Sequence, residues 1–341
     1  MRRPSIFLNF NECYNVCMSH KISVAVLRGG PSSEYDVSLK SGASVLKHLS
    51  EKYTAHDILI DKAGVWHRGG VPKLPAKALH NIDVVFNAMH GEFGEDGKVQ
   101  QILDSLNVPY TGSRALASAL GMNKALSKKT FIDADILTPD SIVVDSPKDI
   151  EGDVEEILKT FDLPVVVKPN AAGSSVGVSI ARDRKSLLAG IKEAFKYGKQ
   201  VLVEQYIEGR EATCGVIENF RGEDVYTLLP VEIVPQKKQE FFDFNAKYSD
   251  TEGASEICPG NFDQKTTEMI QNMAAAAHKA LGLRHYSRSD FIVTTKAVYI
   301  LETNTLPGLT AQSLLPKSLV AVGATFSQFL DHLISLALKR K

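Results

Sequence analysis

The chain has 341 residues, 44% of them hydrophobic and 23% charged, with a net charge of −1. That length is too great for one small core and suggests two or three domains of ordinary globular composition. The balanced charge gives no electrostatic case for nucleic acid or a membrane surface, and no apolar run approaches the roughly 20 residues of a membrane helix. Cys13, Cys17, Cys214 and Cys258 come without a second pair or a His cluster, and read as reduced thiols of a reducing cytosol. Residues 1–20 carry Arg2-Arg3 and a short apolar patch that polar residues interrupt at once. They lack the h-region and cleavage site of a signal peptide. A disordered extension is expected there, with Met18 as an alternative start.

Residues 22–27 read as a buried strand, a glycine-led turn runs to Glu34, and a helix is predicted over 37–49. Strand, glycine turn and helix open an α/β sheet, whose ligands sit at the carboxyl ends of the strands. Glu34 either complements the helix dipole or faces the cleft to hold an ammonium group, and both readings stand at this level. Residues 56–60 form the next strand, Trp66 lies in a hairpin-like excursion punctuated by Gly64 and Gly69-Gly70, and 83–88 is another buried strand. His90 follows it among acids and glycines, a polar cleft edge where a histidine is either structural or in touch with ligand. A helix is predicted over 99–106, and residues 110–113 mark the exit from a first domain.

A helix is predicted over 123–134 with Lys124 near its start, then a short strand over 139–144. Residues 150–161 are an amphipathic helix with Ile150, Val154, Ile157, Leu158 and Phe161 on one face. The stretch KPNAAGSSVGV, from Lys168 to Val178, organises what surrounds it. A buried strand, Val165-Val166-Val167, feeds it, and a second short strand over 178–180 leaves it. It is neither a Walker loop nor a dinucleotide fingerprint, because no Gly-Lys-Ser/Thr ends it and no helix follows directly. Alone it would serve as an ordinary Gly/Ser turn. The alternative is a hairpin that closes over a polyphosphate, its N–H groups forming an anion cradle beside the Lys168 charge.

A helix over 186–195 and a strand over 201–207 carrying Glu204 come next. Long strands over 212–217 and 225–234 alternate in a way that suits antiparallel pairing. Residues 240–256 are polar and aromatic without period, and read as a lid or binding loop, or as an aromatic-anchored surface loop. Lys247 and Tyr248 are its most notable polar groups. After a helix over 266–281, strands over 286–295 and 297–303 form a hairpin. Glu302 and Asn304 share one face of its second strand, Asp290 lies on the first, and Arg288 is close by. Charges inside apolar strands are costly unless paired or metal-bound, which turns the reading from a salt bridge towards a Mg²⁺ site. A helix over 326–338 closes the chain.

Together these pieces resemble the ATP-grasp superfamily and, within it, the D-alanine–D-alanine ligase family. GGPSSEYDVS, HGEFGEDG, KPNAAGSSVG, LVEQYIEGRE, DFNAKY, RSDF and LETNTLPG stand in that family's order, and the resemblance covers residues 21–341. It implies an α/β (α+β) ATP-grasp fold behind an amino-terminal open parallel α/β domain. Residues 21–115 would be that substrate domain, 116–208 a central lid subdomain and 209–341 the catalytic subdomain.

The resemblance also implies roles. Lys124, Lys168 and backbone amides near Ser174 and Ser175 would hold the phosphates of ATP. Glu204 and the backbone of Gln205, Tyr206 and Ile207 would meet adenine, Glu211 the ribose, and Phe241 the face of the base. Lys247 would reach the terminal phosphates. Asp290, Glu302 and Asn304 would ligate two Mg²⁺ ions, with Mn²⁺ as a substitute. Glu34 would grip the ammonium of a first D-alanine with Val37 and His90 nearby. Arg288 and the Gly308 amide would form an oxyanion site, and Ser313 and Leu314 would receive the carboxylate of a second D-alanine. Glu34, Ser174 and Tyr248 would link by hydrogen bonds.

The implied reaction makes D-alanyl-D-alanine, ADP and phosphate through an acyl phosphate, for peptidoglycan and cell shape. A cytoplasmic homodimer without nucleic-acid or membrane partners is expected. Ala171-Ala172, Tyr35 and Phe244-Asn245 depart from the family pattern and are expected to loosen loop closure or alter affinity for the first D-alanine. The rival readings are a D-alanine–D-lactate ligase, another ATP-grasp carboxylate–amine ligase, and a catalytically dead nucleotide-binding module. Tyr248 speaks against the first, Glu34 and His90 against the second, and the retained lysines and magnesium ligands against the third.

Overall fold

The computed structural model describes residues 21–173, 176–235 and 255–339. Its strands form three sheets, each drawn from its own stretch of chain. In the first, β1 (Ile22–Gly29) runs parallel to β2 (Tyr53–Ile60) on one side and β5 (Val84–Asn87) on the other. The antiparallel pair β3 (Trp66–Arg68) and β4 (Val71–Lys73) extends the edge beyond β2, where the hairpin-like excursion was expected. Successive β1 side chains enter two cores. Val24 and Val26 meet Phe329, Leu330 and Leu333, while Ala25 and Leu27 join Ile58, Met89 and Leu103. Burial on both faces is why this strand reads as an unbroken apolar run. Helices α1 (Tyr35–His48), α2 (Pro75–Ala78) and α3 (Lys98–Ser105) flank the sheet.

Helices α4 (Ala115–Met122) and α5 (Lys124–Asp133) follow. The first was not anticipated, because ALASALGM is apolar almost all round and offers no helical stripe. Asn123 ends it and caps α5, its side chain accepting from Leu126 N–H at 3.0 Å. Ala117 and Phe131 of these helices lie in the core of the third sheet.

The second sheet comprises β6 (Ser141–Val144), β7 (Val165–Pro169), β8 (Ser179–Ala181) and β9 (Val201–Gln205), in the order β6-β9-β7-β8 and antiparallel throughout. Strands β7 and β8 are the expected hairpin around the glycine loop. Helices α6 (Ile150–Thr160) and α7 (Arg184–Ala194) close one face with Val154, Ile157, Leu187 and Ile191. The strand expected over 201–207 ends at Gln205, so Tyr206 and Ile207 leave the ladder.

In the third sheet β10 (Arg210–Phe220) has β14 (Tyr286–Val293) on one edge, and β15 (Val298–Asn304) lies beyond it. Its other edge is shared by β11 (Glu223–Thr227) and β12 (Val231–Val234), where one strand over 225–234 was expected. Pro230, in the gap, has no N–H to give a ladder. The loop expected over 240–256 runs at its end into β13 (Ser255–Ile257), which pairs with β12. Helix α8 (Gln264–Ala280) packs Ile270, Ala274 and Ala277 on this sheet. Helix α9 (Leu314–Ala321) was missed because Pro316 looks like a breaker, although a first-turn proline costs a helix no hydrogen bond. Helix α10 (Phe326–Leu338) matches its expected span and starts with a Thr325–Gln328 capping box.

Candidate active site

Two cavities of about 320 Å³ each adjoin, sharing Lys124, Ala172, Arg288, Glu302 and Leu314 in their walls. The first lies between the second and third sheets and is lined also by Lys168, Glu204, Gln205, Tyr206, Ile207, Glu211 and Asp290. The second lies between the third sheet and the turns after β1 and β5, where Glu34, Val37, His90, Asn304, Gly308 and Ser313 line it. Every expected site residue among the described ones therefore faces one cavity or both. Ser174, Ser175, Phe241, Lys247 and Tyr248 lie outside the described residues.

At the inner end of the first cavity, Glu204 sits between two lysines. Its Oε2 is 2.6 Å from Lys168 Nζ and its Oε1 is 2.9 Å from Lys128 Nζ. Burial alone would raise the Glu204 carboxyl, but Lys168 and then Lys128 outweigh it and hold it below the usual carboxylate range. Burial in turn draws Lys128 below the usual lysine value, against the attraction of Glu204. Two ammonium groups against one carboxylate leave a net positive charge here, suited to phosphate. Lys124 donates to the Ala172 carbonyl at 2.8 Å and stands 3.0 Å from Glu302 Oε2, which ties α5 to the glycine hairpin.

Lys128 was not anticipated. It lies one helical turn after Lys124 on the same face of α5, and that spacing was the available signal. Glu232, buried and 2.7 Å from Arg210 Nη2, was missed too, although a glutamate inside the apolar strand VEIV is the kind of signal that pointed to Glu302. Glu256, which lines the second cavity and pairs with Lys317, gave no such signal.

On the β14–β15 hairpin, Asp290 pairs across the strands with Glu302, and Arg288 with Asn304. The register shifts just after Asp290, a bulge that re-aims side chains at the cavity wall. Asp290 accepts from Arg288 Nε and Nη2 at 3.0 and 2.9 Å, from Thr213 Oγ1 at 2.7 Å and from Asn304 Nδ2 at 3.2 Å. No group of three His, Cys, Asp or Glu side chains gathers as a metal site among the described residues. The set here is two carboxylates and one amide, hard oxygen donors that fit Mg²⁺ better than a softer ion.

In the second cavity Glu34 occupies the N-cap position of α1, yet its side chain caps no helix N–H. It lies instead against Gly91 and Gly173, where a Cβ on either glycine would collide with the carboxylate. The turn after β1 and the glycine hairpin thus meet at one acid. His90 is buried, with Nε2 2.7 Å from Ser41 Oγ and Nδ1 3.0 Å from the Leu306 carbonyl and 3.3 Å from Glu95 Oε1. Burial opposes its charge, but Glu95, Glu34 and the Leu306 carbonyl together raise it above the ordinary histidine value. Ser313 sits at the N-cap of α9, its Oγ accepting from Thr310 N–H at 3.1 Å. That helix start, with Ser313 and Leu314 in the cavity wall, is a favourable seat for a carboxylate.

Family models of the D-ala D-ala ligase N-terminus match residues 23–77 and 70–113, and that of the D-ala D-ala ligase C-terminus matches residues 131–335. The D-alanine–D-alanine ligase of Syntrophobacter fumaroxidans is 42% identical over 330 residues, covering 94% of this chain and 99% of that one. Among solved structures, a D-alanine–D-alanine ligase from Bacillus anthracis complexed with ATP superposes with a TM-score of 0.76 at 32% identity, over 93% of this chain and 98% of that one. The VanG D-Ala:D-Ser ligase from Enterococcus faecalis superposes with a TM-score of 0.81 at 30% identity, over 93% of this chain and all of that one.

Proposed function

The chain belongs to the D-alanine–D-alanine ligase family, with its ATP-grasp fold, and on that premise we propose that it joins two D-alanines into D-alanyl-D-alanine for peptidoglycan. The chemistry is ATP-dependent and its substrates are small molecules. One observation carries the reading: a cavity lined by Lys124 and Lys168 and a second, more polar cavity share a wall at Lys124, Arg288 and Glu302. A carboxylate in one can there reach the terminal phosphate of a nucleotide in the other.

In this account Glu34 holds the ammonium of the first D-alanine, beside Val37 and His90. The carboxylate oxygen of that D-alanine attacks the γ-phosphorus, and ADP leaves while Lys124 and Lys168 offset the phosphate charge. Asp290, Glu302 and Asn304 would hold Mg²⁺ as two ions, replaceable by Mn²⁺, which when bound supply further neutralisation of phosphate charge. The amine of the second D-alanine, its carboxylate at Ser313 and Leu314, then attacks the acyl carbonyl. Arg288 and the Gly308 N–H stabilise the tetrahedral oxyanion, and phosphate departs. Gln205, Tyr206, Ile207, Glu211 and Phe241 hold the nucleoside, and Lys247 reaches the terminal phosphate. Backbone amides near Ser174 and Ser175 would close over the phosphates, and Ser174 and Tyr248 would link to Glu34 by hydrogen bonds. Acyl phosphates hydrolyse, so this closure must keep water out. The ion pairs of Glu204 support a change from the expected role: its carboxylate serves the lysines, and adenine is left to the backbone after it. A homodimer acting in the cytoplasm belongs to the same proposal, and no single described helix is long and apolar enough to cross a membrane.

The test is ADP release by the purified chain with Mg·ATP and D-alanine, with D-lactate, D-serine and L-alanine in parallel. D-Alanine alone should drive release and D-alanyl-D-alanine should accumulate. A requirement for D-lactate or D-serine would overturn the assignment of the second substrate.

A further inference from the structure

We propose that Lys128 is a positioning residue for the nucleotide, acting through Glu204 to hold the Lys168 ammonium where it meets phosphate. This deepens the reading of the first cavity as the nucleotide site and rests on it. Lys128 lines neither cavity. Its ammonium, with the residue only 2% exposed, is 2.9 Å from Glu204 Oε1 and donates to Thr138 Oγ1 at 2.8 Å. The Thr138 hydroxyl in turn donates at 2.8 Å to the carbonyl of Ile300, two residues before Glu302 on β15. Glu204 gives its other oxygen to Lys168 at 2.6 Å. One chain of polar contacts therefore runs from the strand that carries Glu302 and Asn304, through α5, to the lysine of the glycine hairpin.

The energetics argue for placement over stability. A buried ion pair or triad contributes little that apolar side chains of the same volume would not, so it is weak grounds for stability. Its geometric consequence is specific. With the Lys128 charge beside one oxygen, only part of the Glu204 charge falls to Lys168. Without Lys128, the whole carboxylate charge falls to Lys168, which would be drawn back from the cavity and left less able to bind phosphate.

The experiment compares wild type, Lys128→Met, Glu204→Gln and the double variant in steady-state kinetics with ATP and D-alanine varied separately. Lys128→Met should raise the KM for ATP about tenfold while the KM for D-alanine stays within about twofold, a split that general loosening would not give. In the Glu204→Gln background the same substitution should add less than about twofold, because its route of action is already removed. An unchanged KM for ATP in Lys128→Met, an equal rise for both substrates, or the same tenfold increment in both backgrounds would overturn the assignment. Should Lys128→Met alone fail to fold, the double variant against Glu204→Gln decides, since equal KM values for ATP are expected and a further rise contradicts. Wild type that releases no ADP with D-alanine would instead defeat the reading of the site itself.

Discussion

Lys124 Nζ stands 3.0 Å from Glu302 Oε2 on the wall that the two cavities share. Each group neutralises the other, and in the proposed reaction phosphate would claim the lysine and a cation the carboxylate. Glu302→Gln should lower ADP release by about a hundredfold or more, since the variant would hold less tightly the cation that offsets phosphate charge. Its unfolding temperature should stay within about 3 °C of wild type, because a partly exposed ion pair contributes little to stability. Initial rates with a thermal melt on the same preparation check both parts.

Gly173 tests the seat of the first substrate. A Cβ there collides with the Glu34 carboxylate, the mobile end of a side chain, so the clash is relieved by moving the acid. Gly173→Ala should leave the fold intact and raise the KM for the first D-alanine by about tenfold, roughly the loss of one charge-assisted hydrogen bond. An unchanged KM would show that Glu34 does not hold the ammonium.

Chelation bears on the hard-oxygen set at Asp290, Glu302 and Asn304. EDTA should abolish ADP release, and either Mg²⁺ or Mn²⁺ should restore it. Full activity after exhaustive chelation would remove the metal role from these residues.

Acid stability should report on His285, which lines neither cavity. It is buried, its Nδ1 accepts from Gly112 N–H at 3.0 Å, and burial with the adjacent Arg284 pulls it down to about 3. The unfolded chain takes up this proton near the ordinary histidine value of 6.5, so the contribution is full above that pH and is lost as pH falls towards 3. The loss approaches about 1.4 kcal/mol per pH unit within that window. Asn tolerates the left-handed φ of +66° found at His285 and keeps an acceptor. Denaturant unfolding from pH 7 to 4 should give a shallower pH slope for His285→Asn than for wild type.

Parts of this site were legible because burying a charge is costly. Asp290 and Glu302 inside apolar strands, and a lysine at the end of Val165-Val166-Val167, announce a reason for being there. The same logic applied to Glu232 in VEIV and went unused. Lys128 was hidden for a different reason. A lysine on a helix ordinarily marks a solvated face, and only the tertiary fold brings Lys128 of α5 to Glu204 of β9. Helix α4 lacked a polar face to give it a period. Helix α9 was masked by Pro316, whose meaning depends on whether it falls in the first turn. For Glu34, local sequence left a helix-start role and a cleft role equally open. The position of its carboxylate against Gly91 and Gly173 depends on two segments distant in the chain.

The most direct test of the central claim follows oxygen from the first substrate. D-Alanine labelled with ¹⁸O in its carboxylate is turned over with unlabelled Mg·ATP, and the released inorganic phosphate is analysed by mass spectrometry. The carboxylate oxygen that attacks the γ-phosphorus stays with phosphorus when the amine displaces it, so each phosphate should carry one ¹⁸O, with the other left in the peptide carbonyl. Unlabelled phosphate alongside D-alanyl-D-alanine would mean that no acyl phosphate forms, and would contradict the account of the shared wall at Lys124, Arg288 and Glu302.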